Sequence, residues 1–562
     1  DLWQAAFIPR EMGIYEYTVT AWIDRFDTWR SQMSKKRADG QNVSVELMEG
    51  ARMATEAAER AEKEDADQLN RLAEQLLSSA AAEHLDVFLN DTVFAGLMAR
   101  YPDPSSQVDY PKVLPLRIEP RKALYSTWYE MFPRSCADDD PARPARHGTF
   151  KDCIKRLPYI AGMGFDVLYL PPIHPIGRTH RKGKNNTVTA GPGDPGSPWA
   201  IGAKEGGHKA IHPKLGTLAD FRELLERARG LGIDIALDMA FQCSPDHPYV
   251  SDHPEWFHQR PDGTIQYAEN PPKKYQDIYP FAFDSSHYES LRRELLDVFQ
   301  YWIDQGVRIF RVDNPHTKPL RFWEWLIAAC KEKFPEIIFL AEAFTRPKIM
   351  YRLAKGGFTQ SYTYFTWRNL KWEIAQYFEI LTQTGVKEFF WPNLWPNTPD
   401  ILPEFLQLGG RPAFVLRLML AATLSSSYGI YGPAFELCIN QPLDPGGEEY
   451  RDSEKFEITH WDLEASHTIR PFITRINRIR RENPALQQTR NLMFHPVDKE
   501  EILCFSKFTD DFSNIIFVAA NLDPHHTHSA WVQLPFEQMG VPVGKSFQMH
   551  DLVSDARYLW HE

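Results

Sequence analysis

Between about residues 121 and 475, short apolar runs rich in β-branched and aromatic residues alternate with stretches of helical period. Strands are predicted at 124–131, 167–170, 233–239, 307–312, 337–341, 361–366, 388–391 and 413–420, with helices between most of them. Eight such βα units over ~250 residues or more predict an α/β fold, a (β/α)8 barrel. A barrel of this kind puts its chemistry at the C-terminal ends of its strands. The residues that end these strands are therefore the ones to read for function.

Two strand ends carry most of the information. Val307-Arg308-Ile309-Phe310-Arg311-Val312-Asp313-Asn314 and Phe339-Leu340-Ala341-Glu342-Ala343 each deliver one carboxylate. Breaking a sugar acetal with retention needs two: one attacks the anomeric carbon and the other protonates the departing oxygen. Arg311 lies two residues before Asp313, on the same face of an extended strand, and so can hold it ionised and oriented. Asp238 and Asp400 also fall at strand ends. Any one of the four alone reads as a helix cap or a surface turn. Their order, with Arg311 ahead of Asp313, favours catalysis.

The flanks differ from the barrel. Residues 1–28 contain the alternating run Ile14-Tyr15-Glu16-Tyr17-Thr18-Val19-Thr20-Ala21-Trp22 and are expected to be the end of a truncated N-terminal β-sandwich. Residues 29–108 are rich in Ala, Glu, Leu, Lys and Arg, with Leu69, Leu72 and Leu76 at helical spacing, and predict a helical insert. The barrel domain is expected at 109–480, with a loop-rich excursion at 243–283 after the third strand, and a C-terminal β-sandwich at 481–562. A net charge of -12 argues against a nucleic-acid partner. The six cysteines are scattered without a CxxC pair, which points to a reduced, cytoplasmic setting. No apolar run is long enough to span a membrane.

The order of the acids resembles the α-amylase superfamily of glycoside hydrolases and transglycosidases. Asp238-Met239-Ala240-Phe241-Gln242-Cys243 occupies the place of that family's first motif, Arg311-Val312-Asp313 the nucleophile motif, Glu342 the acid/base motif, and Asn397-Thr398-Pro399-Asp400 the fourth. Three departures matter. Gln242 stands where calcium-dependent amylases carry a calcium-ligating Asn, and Cys243 where they carry a substrate-binding His. Calcium wants several hard oxygen ligands, so no metal is expected. Thr398 and Pro399 replace the usual His beside the last Asp.

Longer segments are similar to a narrower group, the maltosyltransferase family called GlgE. They include the stretch from Trp128 to Ser135, Leu170 to Gly177, Arg178 to Asn186, Gln242 to Pro248, Ala268 to Pro280 and Asn314 to Pro319. That resemblance implies α-maltose 1-phosphate as donor, an α-1,4-glucan as acceptor and a homodimer. It also implies that Lys182, Gln242, Asp277, Asn314, Lys455 and Phe456 contact the donor. Phe456 stands where the family usually has Tyr.

A glycosyl phosphate needs cationic and amide donors beside its leaving group. No GxxxxGK[ST] loop is present, so side chains must supply them. Candidates are Lys182, Asn186, Asn270, Lys273, Tyr275, Asn314 and Lys455. Each lysine taken alone reads equally as a solvated surface residue. Trp199 and Tyr275 fit sugar stacking or plain loop packing. His174, His208, His247 and His316 form no HxxxH or HExxH helix pattern, and no cofactor is expected. The reading is a retaining maltosyl transferase with Asp313 as nucleophile, Glu342 as acid/base and Asp400 on the sugar hydroxyls. The alternative is an amylase-like hydrolase or a trehalose-forming enzyme.

Overall fold

The computed structural model describes residues 4–78, 81–137, 146–540, 544 and 546–560. Residues 1–3 and 561–562 of the expected end domains lie outside them. The chain divides into two compact units, Ile14–Ile118 and a larger one formed by the rest.

In the smaller unit, the strand Gly13–Tyr17 pairs with Leu114–Ile118, and Thr20–Ala21 runs antiparallel to Val108–Asp109. Between them lie helices Arg25–Ala38, Ser44–Ala58, Lys63–Leu76, Leu85–Leu89 and Thr92–Arg100. Asp24 and Asp91 cap two of these through their carboxylates, each satisfying first-turn N–H groups that have no intrahelical partner. Phe26, Trp29, Met33, Leu47, Ala54, Leu69, Leu76 and Phe94 fill the interior. Gly50 is required by packing: a Cβ there would stand 2.4 Å from the Trp29 ring.

The larger unit holds eight parallel strands: β1 (Ser126–Glu130), β2 (Val167–Leu170), β3 (Asp234–Met239), β4 (Ile309–Asp313), β5 (Ile338–Glu342), β6 (Gln360–Ser361), β7 (Asn393–Leu394) and β8 (Ser427–Tyr431). Their order is β6-β5-β4-β3-β2-β1-β8-β7. A parallel bridge between Ser361 and Pro392 joins β6 to the start of β7 and closes the barrel. Helices Phe150–Gly162, Leu218–Gly230, Tyr288–Asp304, Leu320–Lys333, Pro347–Lys355, Lys371–Gln383, Glu404–Leu424 and Arg470–Glu482 each follow one strand. Thr149 with Asp152, and Thr217 with Asp220, form reciprocal capping boxes that start the first two.

The period of two sorts side chains between the barrel lumen and the helix layer. Ile309, Ile338, Leu340, Ala236, Val167, Tyr169 and Trp128 pack in one cluster with Tyr362 and Trp395. Phe310, Val312, Phe339, Ala341, Leu237 and Met239 belong to the other, beneath the helices. On the same parity, Arg311 and Asp313 share the inner face with Ile309, and Glu342 shares it with Leu340.

Two expected strands are wrong, and a third, 361–366, is strand only at Ser361. Residues 388–391 end and follow the 3-10 turn Gly385–Glu388, and the seventh strand is Asn393–Leu394. Residues 413–420 belong to the helix Glu404–Leu424, and the eighth strand is Ser427–Tyr431. The run Ala413-Phe414-Val415-Leu416-Arg417-Leu418-Met419-Leu420 is apolar on nearly every side, and such runs do not separate a buried helix from a buried strand. Its Leu, Met and Ala content is that of a good helix former. After the barrel, Leu492–His495, Ile502–Phe508 and Ile515–Asn521 form an antiparallel sheet, and Phe547–His550 pairs with Arg557–Trp560. Among the described residues, no helix is long and apolar enough to cross a membrane.

Candidate active site

β4 and β5 run side by side in a register that pairs Asp313 with Glu342. Adjacent strands lie about 4.8 Å apart. Two carboxyl groups presented from paired positions therefore face one small volume.

Arg311 organises them from below. Its Nη1 donates to Asp313 Oδ1 and to Asp238 Oδ2, each at 2.9 Å, while its Nη2 lies 3.6 Å from Glu342 Oε2. All of this is buried: Arg311 is 6% exposed, Asp313 7% and Asp238 1%. Asp238 is held further by the Tyr169 hydroxyl at 2.5 Å and the Trp199 indole N–H at 3.2 Å. Buried ions at this density require such pairing, because an unpaired charge is costly away from water.

The two acids differ in proton affinity. Burial works against the Asp313 anion, but Arg311 and Lys318 outweigh it and hold the carboxyl below the ordinary Asp value. Burial raises Glu342, and the adjacent Asp313 and Asp400 carboxylates add to it; against the opposing Arg311 it is pushed up to about 7. One group is ready as an anion and its neighbour as an acid, the division expected of a retaining glycosidase pair.

Asn314 joins them from above. It adopts a left-handed conformation (φ 43, ψ 51) immediately before Pro315. Such a conformation costs on the order of 1–3 kcal/mol for a non-glycine residue, although Asn tolerates it better than most. The turn sends the Asn314 backbone N–H to Glu342 Oε2 at 3.1 Å, and the side-chain amide lies 3.4 Å from Asp313 Oδ2.

Above these groups opens a cleft of about 1020 Å³. Asp313, Asn314, Asp400, Lys182, Asn186, Gln242, Asn270, Tyr275, Asp277, Lys455 and Phe456 all line it. Asp238, Arg311 and Glu342 do not line it; Arg311 joins Asp238 to the lining Asp313, and Glu342 accepts the Asn314 N–H. Lys273 does not line it: its Nζ lies 3.1 Å from Glu449, which does. Lys182 is buried, with its Nζ 3.5 Å from the Lys274 carbonyl. Lys455 pairs with Asp400 and lies over the Trp199 ring, 5.0 Å from its centroid. Asp277 is 2% exposed with Oδ1 unpartnered. The segment from Gln242 to Pro280 is tied back where Cys243 pairs with Tyr279 and Gln242 with Pro280. Cys243 is fully buried and faces away from the cleft's chemistry, while Gln242 donates to the Trp199 carbonyl at 3.3 Å.

The histidines form a relay. His208, Cys243 and His247 bring possible ligand atoms within 4.8 Å of one another. Yet His208 Nε2 donates to the Ala240 carbonyl at 3.0 Å, and His247 Nδ1 accepts the Tyr249 N–H at 3.0 Å. The remaining His247 Nε2–H then donates to His208 Nδ1, also at 3.0 Å. All four ring nitrogens are used, so neither imidazole has a lone pair left for a cation.

Sequence reasoning missed Lys318, which lines the cleft and donates to the carbonyls of Asp313 (3.5 Å) and Asn314 (3.2 Å). It also missed Glu130, at the end of β1, 1% exposed with Oε2 unpartnered. The available signals were a lysine five residues past Asp313 and an acid closing a strand.

Comparison with known proteins bears on the whole chain. Residues 1–120 match the family model for domain N/S of α-1,4-glucan:maltose-1-phosphate maltosyltransferase, 494–562 the GlgE C-terminal model, and 130–339 the α-amylase catalytic domain. The maltosyltransferase of Chlorobaculum tepidum is 51% identical over 567 residues, covering 100% of this chain and 84% of its own. That of Methylacidiphilum infernorum is 49% identical (100% and 83%), and enzyme 1 of Streptomyces coelicolor is 51% identical (100% and 82%). The chain belongs to the α-1,4-glucan:maltose-1-phosphate maltosyltransferase family. It is a glycosyltransferase built on the α-amylase fold. Crystal structures agree on that fold: an α-amylase of Lactobacillus plantarum superposes with a TM-score of 0.59 at 20% identity (78% of this chain, 96% of that one). A maltogenic α-amylase of Thermotoga neapolitana gives 0.60 at 18% (78% and 94%).

Proposed function

We propose that this chain transfers maltosyl units from α-maltose 1-phosphate to the nonreducing end of an α-1,4-glucan, with release of phosphate and net retention. The observation that carries the reading is the register pairing of Asp313 and Glu342 on adjacent strands, with Asp313 held below the ordinary Asp value and Glu342 pushed up to about 7, at a cleft that also holds Lys182 and Lys455. A hydrolytic inverting site would need a water-sized gap of roughly 6.5–9.5 Å between its carboxyls. Paired strand positions suit the ~5 Å of a retaining pair.

In this mechanism Asp313 attacks the anomeric carbon while Glu342 protonates the bridging phosphate oxygen. The C–O bond to phosphate breaks and a β-maltosyl ester of Asp313 forms. The 4-hydroxyl of the glucan then enters. Glu342, now a carboxylate, takes its proton, and the ester opens to restore the α linkage. Asp400 and the unpartnered Asp277 oxygen serve as acceptors for sugar hydroxyls. Lys182, Lys455 and the Asn314 amide are the donors available to the leaving phosphate. Phe456, with no hydroxyl, contributes apolar surface only.

The test is direct. Incubation with α-maltose 1-phosphate and maltohexaose should give phosphate and chains longer by two glucose units in equal amount. Free maltose without chain growth, or growth without phosphate, would overturn the reading in favour of a hydrolase or another α-glucosyl enzyme.

A further inference from the structure

We propose that Lys318 is a positioning residue of the reaction: its ammonium holds the Asp313–Asn314 turn so that the Asn314 N–H stays on Glu342. The inference rests on the roles assigned above to Asp313 and Glu342.

The case starts from Asn314. Its left-handed conformation precedes Pro315, and a proline disfavours helical conformations in the residue before it. The chain therefore needs compensating contacts, and they converge on the Asn314 carbonyl. Lys318 Nζ donates to it at 3.2 Å, Thr317 Oγ1 at 2.8 Å and the Thr317 N–H at 3.2 Å. The buried Trp323 indole N–H fixes the next carbonyl, that of Pro315, at 2.9 Å. Lys318 alone among these brings a charge. It is half-buried, lines the cleft, and among the described residues forms no salt bridge with a carboxylate.

The position of that charge has a consequence for the acids. Lys318 faces Asp313, Glu342 and Asp238, with Arg311 as the like charge beside it. Glu342 in turn faces Arg311, Asp313 and Asp400, and Asp313 faces Arg311, Lys318 and Lys455; His316 also borders Lys318 and Asp313. A nearby cation favours the anionic form of a carboxyl. Lys318, whose ammonium interacts with the Glu342 carboxylate, thus makes Glu342 a stronger acid than burial alone would leave it, which helps it give its proton to the departing oxygen.

The test compares Lys318→Met, which keeps the apolar stem and removes the charge, with Lys318→Arg, which keeps the charge. The Glu342 carboxylic acid is titrated in the free enzyme by infrared spectroscopy on isotope-labelled protein, identified as the band absent from Glu342→Gln. Lys318→Met should raise its midpoint by about one pH unit and lower kcat about tenfold with little change in KM, while Lys318→Arg should leave the midpoint in place. A midpoint unmoved in Lys318→Met would overturn the inference. The titration needs no substrate, so it stands apart from the proposed reaction. If the wild type failed to turn over α-maltose 1-phosphate, the functional reading would fall on its own.

Discussion

Asp313 and Glu342 are register partners on adjacent parallel strands, and Arg311 reaches both, at 2.9 Å and 3.6 Å. One guanidinium thus sits under two acids of unequal proton affinity. The proposed double displacement follows from that inequality.

The pH dependence of kcat should be bell-shaped. The active form has Glu342 protonated and Asp313 ionised. Glu342 is raised to about 7, so activity should fall as pH rises through that region. Asp313 is lowered, so the acid limb should lie below the ordinary Asp value of about 3.9. Steady-state rates across the pH range check both limbs, provided the protein remains folded by circular dichroism. An alkaline limb near the ordinary Glu value would contradict the assignment.

Replacing Asp313 with Ala should abolish turnover, a loss of at least about 10⁴-fold, and leave the thermal transition in place or modestly changed. Substantial residual activity would refute the nucleophile. Removing this anion also frees Arg311 from one partner, but Asp238 continues to hold it at 2.9 Å.

Asn314 can be dissected into backbone and amide. Asn314→Gly keeps the left-handed turn and loses only the amide. It should raise the KM for α-maltose 1-phosphate several-fold while leaving the KM for the glucan near its original value. Asn314→Ala places a Cβ in a conformation it disfavours, and should in addition lower kcat by about tenfold through the lost N–H to Glu342. Equal effects of the two variants on both substrates would argue against the division of roles.

A chelator should leave activity intact. Gln242 spends its amide on the Trp199 carbonyl, and the buried His208–His247 relay uses all its nitrogens. Rates measured before and after extensive dialysis against EDTA, with and without added calcium, check this. A requirement for calcium would contradict it.

How far the site could be read in advance depends on what sets each part. The inner-face parity of Ile309, Arg311 and Asp313 follows from the period of two and was legible at once. So were Asp238, Asp313 and Glu342 at the strand ends; Asp400, expected at another, lies in a turn six residues past β7. The eighth strand was not, because the helix Glu404–Leu424 is buried on most sides and its apolar run hid the helical period. Lys318 was not, because its role depends on a four-residue turn folding back onto Asn314. The direction of Lys273 was not, because a neighbouring segment sets it: at the start of the short strand Lys273–Tyr275, its ammonium meets Glu449. The sign for Glu130 in sequence was an acid closing a strand, which is common; only its burial sets it apart.

The central claim is a covalent maltosyl ester on Asp313, and trapping it is the most direct test. Glu342→Gln enzyme lacks both the acid of the first step and the base of the second, but phosphate is weakly basic and can leave slowly without full protonation while the glucan hydroxyl still needs a base, so with α-maltose 1-phosphate the ester should accumulate. Intact-protein mass spectrometry should show the addition of one maltosyl unit, and peptide mapping should place it on Asp313. No adduct, or an adduct on another residue, would contradict the mechanism.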